Sequence, residues 1–219
     1  MQLGSPPRRR TATQAGFTTT EVLAATTLGL IALTGFTSFN RFQLFALRNQ
    51  ANQIDVQANA RSVVDLFSRE VRRAGLNLTC NPNIHTIADA NQTQVHIQSD
   101  LNGDGVLSQP NEDITYRFNS STNAVERVDA HASTDTLASG VDTANSRLRY
   151  FDTTGTEIPV PNGGLTATQR AAVRRVRIEL SLTETAVDPL NSTPLRAQVA
   201  GDINLRNRFF IATMPCTSP

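Results

Sequence analysis

One stretch constrains the fold of this chain more than any other: the apolar run from Ala15 to Arg41. Between Phe17 and Phe39 this run carries no charge except that of Glu21. Because about 20 helical residues, each rising about 1.5 Å, cross the hydrocarbon core of a bilayer, the run predicts a membrane-spanning helix. Its threonines are compatible with lipid, since a threonine hydroxyl can bond to a carbonyl of its own helix.

Glu21 is the unusual residue of this run. A carboxylate near the middle of a membrane helix costs about 3 kcal/mol to insert. One interpretation places Glu21 near the membrane surface, one helical turn into the helix, where the cost is small. The other gives it a positively charged partner, because two opposite charges in a low-dielectric bundle stabilise one another. The sequence leaves both interpretations open.

The order of these residues resembles the processing site of type IV prepilins and the related pseudopilins. Gly16-Phe17, with Glu21 four residues on and an apolar run beyond it, follows a short basic leader. The resemblance implies that a prepilin peptidase cuts after Gly16 and N-methylates Phe17. It also implies that Glu21 pairs with the N-terminal amine of a neighbouring subunit during assembly. Thr19 and Thr20 depart from the apolar residues usual before the glutamate, and an uncleaved signal anchor is the alternative.

The charges of the leader predict the topology. Arg8, Arg9 and Arg10 keep the N-terminus in the cytoplasm by the positive-inside rule, so the chain beyond the helix faces an oxidising compartment. The chain's two cysteines, Cys80 and Cys216, both lie on that side and are expected to form a disulfide. The resemblance implies an inner-membrane, single-pass precursor that later reaches the periplasm or a cell-surface pilus.

The helix is expected to continue well beyond the membrane. No Pro or Gly interrupts the chain from Arg41 until Gly75, which fits a C-terminal cap. Two apolar faces follow, and each needs a partner: the protein's own sheet for one, neighbouring helices of a filament for the other. The first face contains Phe42, Phe45, Val56, Ala60, Val63, Phe67, Val71 and Ala74. The second contains Leu44, Leu47, Ala51, Ile54 and Ala58. A polar side is expected to face solvent, with Arg61, Asp65, Arg69, Glu70 and Arg72.

From Leu76 onward the composition changes to Asn, Thr, Asp and short β-branched runs. Alternation predicts strands at 94–98, 114–118, 125–128, 147–151, 173–182 and 195–199. A short helical turn is expected within 166–174. Strands joined in series by turns predict a pilin-like α+β fold, with the long helix packed on a mainly antiparallel sheet. The expected divisions are a leader (1–16), the membrane and assembly half of the helix (17–40), its second half (41–75) and a β-rich globular domain (76–219).

One loop has part of the pattern of a calcium site. Asp100, Asn102 and Asp104 alternate and are followed by Gly105 and Val106, as in the opening of a calcium-binding loop. Val106 would supply a backbone carbonyl. The glutamate that closes such a loop is expected at position 111. That position is Asn111, and Glu112 comes one residue later. The alternative is a glycine-rich turn between two strands, for which Asn-Gly and Asp-Gly are preferred pairs.

The layout of LFSREVRRAG at the end of the helix, RLRYFD in the middle of the domain and VRRVRIELSLTE later resembles the larger, PilW-type minor pilins. This resemblance implies a non-enzymatic subunit that initiates or assembles a type IV pilus used in twitching motility, at or near its tip. The implied partners are other minor pilins, the major pilin, the prepilin peptidase, the inner-membrane assembly platform and a tip adhesin. A J-type pseudopilin of type II secretion is the alternative. A DNA- or ligand-binding module ranks lower and no nucleic acid is expected, because net charge is +1 and aromatics make up 5% of the chain.

Overall fold

The computed structural model describes residues 16–186 and 193–207. Helix α1 (Thr19–Arg73) is a single uninterrupted helix of 55 residues. It ends where predicted, because Gly75 adopts a left-handed φ of 77° and its backbone N–H donates to the Gln98 carbonyl at 2.7 Å. The chain divides into two compact units, Met1–Ala46 and Leu47–Pro219, and the boundary falls within α1.

The strands of the second unit form two antiparallel sheets. The first sheet has the order β1-β2-β3-β4-β5 and the second β7-β6-β8-β9. The strands of the first are β1 (Ile87–Ala90), β2 (Gln94–Gln98), β3 (Asp113–Asn119), β4 (Ala124–Asp129) and β5 (Thr134–Ser139). Those of the second are β6 (Arg147–Phe151), β7 (Glu157–Ile158), β8 (Arg175–Glu184) and β9 (Leu195–Asn204), with the short helix α2 (Ala167–Ala172) between β7 and β8. The α+β architecture is therefore confirmed, with the strands divided between two sheets.

The C-terminal half of α1 packs against both sheets. The first predicted apolar face is buried from Val56 onward, whereas Phe42 is 67% exposed. Phe67 meets the ring of Tyr116 edge to face, with centroids 5.0 Å apart, and lines a small cavity with residues of both sheets. On β9, Gly201 permits close approach, because a Cβ there would lie 2.6 Å from a methyl carbon of Val64. The second predicted face, represented by Leu47 and Ile54, is exposed.

Glu70 corrects one expectation. The sequence predicts Glu70 on the solvent-facing side of the helix, but only 5% of it is exposed. Its carboxylate accepts hydrogen bonds from Arg127 of β4 and from the hydroxyl of Tyr116 of β3. Burial of a carboxylate is tolerable here because it is both paired with a cation and hydrogen-bonded.

The chain crosses from the first sheet to the second at a corner between β5 and β8. The chain leaves β5 at Gly140, whose carbonyl accepts the Thr183 N–H of β8 at 2.7 Å. Gly140 has a φ of 74°, and a Cβ there would lie 2.3 Å from the Thr183 carbonyl oxygen, so this crossing needs glycine. Val141 then makes an isolated bridge with Leu182. The corner leaves β5 as one edge of the first sheet.

Candidate processing and assembly site

Gly16 and Phe17 lie immediately ahead of α1, outside any regular element. Phe17 is 88% exposed, and the space around the Cα of Gly16 is open, with nothing within 4 Å of a Cβ built there. Exposed segments with small residues are the preferred sites of proteolytic cleavage. The peptide bond predicted to be cut is therefore accessible in this unit.

Glu21 lies in the first turn of α1, where it forms a capping box with Thr18. The Glu21 carboxylate accepts the Thr18 backbone N–H at 2.9 Å and its hydroxyl at 3.0 Å. In return the Thr18 hydroxyl accepts the Glu21 backbone N–H at 3.3 Å. This arrangement satisfies two of the N–H groups that have no partner at a helix start, and it places a negative charge at the positive end of the helix dipole.

The sequence contained the signal for this cap in Thr18-Thr19-Thr20-Glu21, a threonine followed three residues later by a glutamate. Neither membrane interpretation of Glu21 predicts this cap. The carboxylate lies in the first turn of α1, and its position relative to the membrane surface stays a prediction. The first turn is also the helix end where cleavage would create a new amine on Phe17.

The rest of the N-terminal half of α1 is consistent with a membrane anchor. In the described residues α1 is the one helix long and apolar enough to cross a membrane, and none of its most apolar window is buried. The threonine hydroxyls bond within the helix as expected: Thr27 donates to the Leu23 carbonyl at 2.8 Å and Thr34 to the Leu30 carbonyl at 2.7 Å. These bonds remove the cost of exposing hydroxyls to lipid.

The candidate calcium loop joins β2 to β3, and two buried carboxylates hold it. Asp100 is 0% exposed and accepts the backbone N–H groups of Gly103 at 2.7 Å and Gly105 at 2.9 Å. Glu112 is 1% exposed and accepts N–H groups from both arms of the loop, including Leu101 at 3.1 Å and Gln109 at 2.9 Å. Backbone donors therefore compensate both buried charges.

The remaining candidate ligands also bond within the loop. Asp104 accepts the Val106 N–H at 2.7 Å and the Asn102 side-chain amide at 2.7 Å. Asn102 accepts the Asp104 N–H at 3.0 Å. Within residues 16–186 and 193–207, no group of three or more His, Cys, Asp or Glu is placed to hold a metal ion. These contacts favour the glycine-rich turn, and calcium binding stays a prediction that can be tested by titration.

Cys80 lies in the loop between α1 and β1, with a left-handed φ of 57°. The same loop contacts the candidate calcium loop, since the Asn81 side chain donates to the Gly105 carbonyl at 2.7 Å. Cys216 lies outside the described residues. The Cys80–Cys216 disulfide therefore stays a prediction.

Comparison with known proteins identifies the family. A family model described as prepilin peptidase-dependent protein B matches residues 49–200, which is more than half of the 219 residues. Comparison with the curated proteins and with the solved structures finds no match. The matched region begins beyond Gly16, Phe17 and Glu21, so the family assignment and the N-terminal motif rest on separate parts of the sequence. The chain belongs to the prepilin peptidase-dependent protein B family and is a pilin-like protein of the type IV prepilin class.

Proposed function

We propose that the chain is a structural, non-enzymatic minor pilin of a type IV pilus. Prepilin peptidase removes residues 1–16 and N-methylates Phe17. The apolar half of α1 holds the precursor in the inner membrane until the subunit enters the filament. Its place there is at or near the tip, where it contributes to pilus initiation.

The position of the processing motif supports this proposal most. Gly16-Phe17 directly precedes Thr18, whose side chain caps α1, and α1 is long and apolar enough to cross a membrane. A pilin must be cut close to the start of its anchoring helix without losing that helix. Cleavage after Gly16 retains Thr18 and Glu21, and therefore the whole capping box.

The N-terminal half of α1 indicates the proposed partners. The exposed apolar side chains of its N-terminal half would lie first in lipid and then among the corresponding helices of other minor pilins and the major pilin. Glu21 would meet the new amine of a neighbouring subunit, an arrangement in which each charge offsets the desolvation of the other. The assembly platform and a tip adhesin complete the proposed set.

Fractionation of pili tests this proposal. Pili sheared from cells that produce the protein at native levels should contain the mature form, and deletion of its gene should reduce the number of pili. Loss of piliation that is restored by the wild-type gene but not by a Glu21→Ala copy would support a role in assembly. A protein absent from sheared pili, whose deletion leaves piliation intact and blocks secretion of exoproteins, would instead be a type II secretion pseudopilin.

A further inference from the structure

The outer edge of β5 borders a groove in the globular unit. The groove has a volume of about 480 Å³, within the range of pockets that bind ligands. One wall is the β5 edge through Gly140, another is the end of β8, and the floor is α1. The lining residues are Val56, Asn59, Thr136, Leu137, Ala138, Ser139, Gly140, Leu182, Thr183 and Glu184.

The backbone of β5 is open for pairing on the groove side. Among the described residues β5 pairs with β4 alone, and β5 is an edge of its sheet. The Asp129 N–H donates to the Ser133 carbonyl at 3.1 Å, which makes these two residues a hydrogen-bonded pair. Because bonded and non-bonded pairs alternate in an antiparallel ladder, Thr134 and Thr136, opposite Val128 and Glu126, direct their N–H and C=O groups away from β4.

The β5 edge has no paired strand at Thr134 and Thr136. Its sequence, TDTLAS, contains no Pro, and no other strand of the described chain pairs with this edge of β5. The register with β4 steps from Glu126–Thr136 to Val125–Ala138, so Leu137 is an extra residue on β5, and this bulge lies beyond Thr134 and Thr136. Leu137 and Ala138 line the groove and are partly buried, and they pack against the core, which fixes this part of β5 to the globular unit.

Two exposed carboxylates lie at or beside the groove. Glu184 is exposed in the lining, and no ion-pair partner for it lies in the described part of the chain. The side chain of Asp135, beside Thr136, is 55% exposed, and its nearest cation is Arg127, at 3.9 Å. Arg127 itself pairs at shorter distances with Glu70 and Asp129. Arg196, the register partner of Thr183 in the groove wall, forms an ion pair with Asp142 at 3.7 Å.

We propose that the β5 edge binds an extended, basic segment of a partner protein as an added strand. The outward N–H and C=O groups of Thr134 and Thr136 would provide the main-chain hydrogen bonds of strand addition. Glu184 and Asp135 would pair with arginine or lysine side chains of the incoming segment. Charge complementarity disfavours a second copy of the chain as the occupant, because β5 edges brought together would also bring the two acidic rims together.

Peptide binding to the full chain in detergent micelles tests this proposal. The probes are two fluorescently labelled, end-blocked hexapeptides, Thr-Arg-Val-Arg-Val-Thr and Thr-Glu-Val-Glu-Val-Thr. The basic peptide should bind saturably and more tightly than the acidic one. Thr136→Pro removes one outward N–H and spares the ladder to β4, and should weaken binding about tenfold. Thr136→Val keeps the N–H and should bind like wild type. Glu184→Gln should weaken binding of the basic peptide about two- to fivefold, because an exposed ion pair contributes little.

Several results would overturn the proposal. One is a failure of the basic peptide to bind saturably at millimolar concentration. The others are equal binding of the two peptides, and equal affinity of wild type and Thr136→Pro for the basic peptide. Concentration-dependent dimers that Thr136→Pro abolishes would assign the edge to a second copy instead. If the Thr136→Pro variant melts well below wild type, the Thr134→Pro variant is used in its place. The ratio of the affinities for the basic and acidic peptides is an independent measure, and Glu184→Gln should reduce it.

Discussion

Arg127 of β4 donates hydrogen bonds to both carboxylate oxygens of Glu70 of α1. Its Nε lies 3.1 Å from Oε2 and its Nη2 lies 3.1 Å from Oε1. The Tyr116 hydroxyl donates to the same carboxylate, and Asn111 accepts from Arg127 at 2.6 Å. Burial first, and then the negative charge of Glu70, raise the pKa of Tyr116 well above its usual value, so the phenol stays a donor. The pKa of Arg127 is also raised: burial lowers it, but the bonds to Glu70 outweigh that effect.

The first prediction concerns this pair. Glu70→Ala should lower the free energy of unfolding by about 3–5 kcal/mol, because it leaves the Arg127 guanidinium buried without its main partner. Asp202→Asn, which weakens the exposed pair with Arg177, should cost less than about 1 kcal/mol. Urea denaturation of the full chain in micelles measures both changes. Similar effects of the two substitutions would show that Glu70 does not anchor α1 to the first sheet.

The same residue shows why parts of the fold escaped prediction. Glu70 lies three residues after Phe67 and four before Ala74, at core spacing, but its neighbours Arg69, Arg72 and Arg73 made the segment look solvated. Its partners on β3 and β4 are distant in sequence, and no local pattern identifies them. Hydrophobic periodicity is a local pattern and therefore cannot predict a buried ion pair between secondary-structure elements that are distant in sequence.

Strand prediction succeeded where one face is buried and failed at the edges. Alternation predicted β2 and β6 with their observed bounds, because Val95 and Ile97 are buried at alternate positions of β2, and Leu148 and Tyr150 at alternate positions of β6. It missed β5, whose side chains are mostly exposed and polar, and β7, which is two residues long. It also missed β1, Ile87–Ala90, a short edge strand of the first sheet. β9 was predicted only to residue 199, because Gly201 and Asp202 resemble a turn in sequence.

Assembly should depend on Glu21 more than on its cap. Glu21→Ala should still be cleaved and inserted, because the substitution removes an intramembrane carboxylate, but it should enter filaments poorly. Thr18→Ala removes a cap contribution of about 1 kcal/mol and keeps the charge, so it should enter filaments better than Glu21→Ala. Immunoblots of sheared pili compare the variants. Wild-type incorporation of Glu21→Ala would show that Glu21 acts only as a helix cap.

The loop between β2 and β3 should be stabilised by its own carboxylates. Because Asp100 and Glu112 bond backbone N–H groups, millimolar calcium and chelator should give the same melting temperature. Asp100→Ala should lower that temperature in both, since the N–H groups of Gly103 and Gly105 lose their acceptor. The calcium alternative makes the opposite prediction. Calcium at 100 times its Kd would raise the free energy of unfolding by about 2.7 kcal/mol, and Asp104→Ala would abolish this increase.

A Cys80–Cys216 disulfide should protect both thiols of the exported protein. Alkylation of the unreduced, denatured protein should label neither cysteine, and reduction should expose both. Closing a loop of this length should contribute about 5 kcal/mol in the chain-entropy model, so Cys80→Ser should lower the melting temperature. Labelling of both cysteines without reductant would reject the bridge.

Cleavage between Gly16 and Phe17 tests the central claim most directly. The measurement is the intact mass of the protein extracted from membranes of cells with and without prepilin peptidase. Wild type should have lost residues 1–16 and gained one methyl group, and its first residue should be Phe17. Protein from peptidase-deficient cells, and a Gly16→Val variant in normal cells, should keep the leader. A full-length, unmethylated protein in cells with active peptidase would contradict the account and leave α1 as an uncleaved anchor.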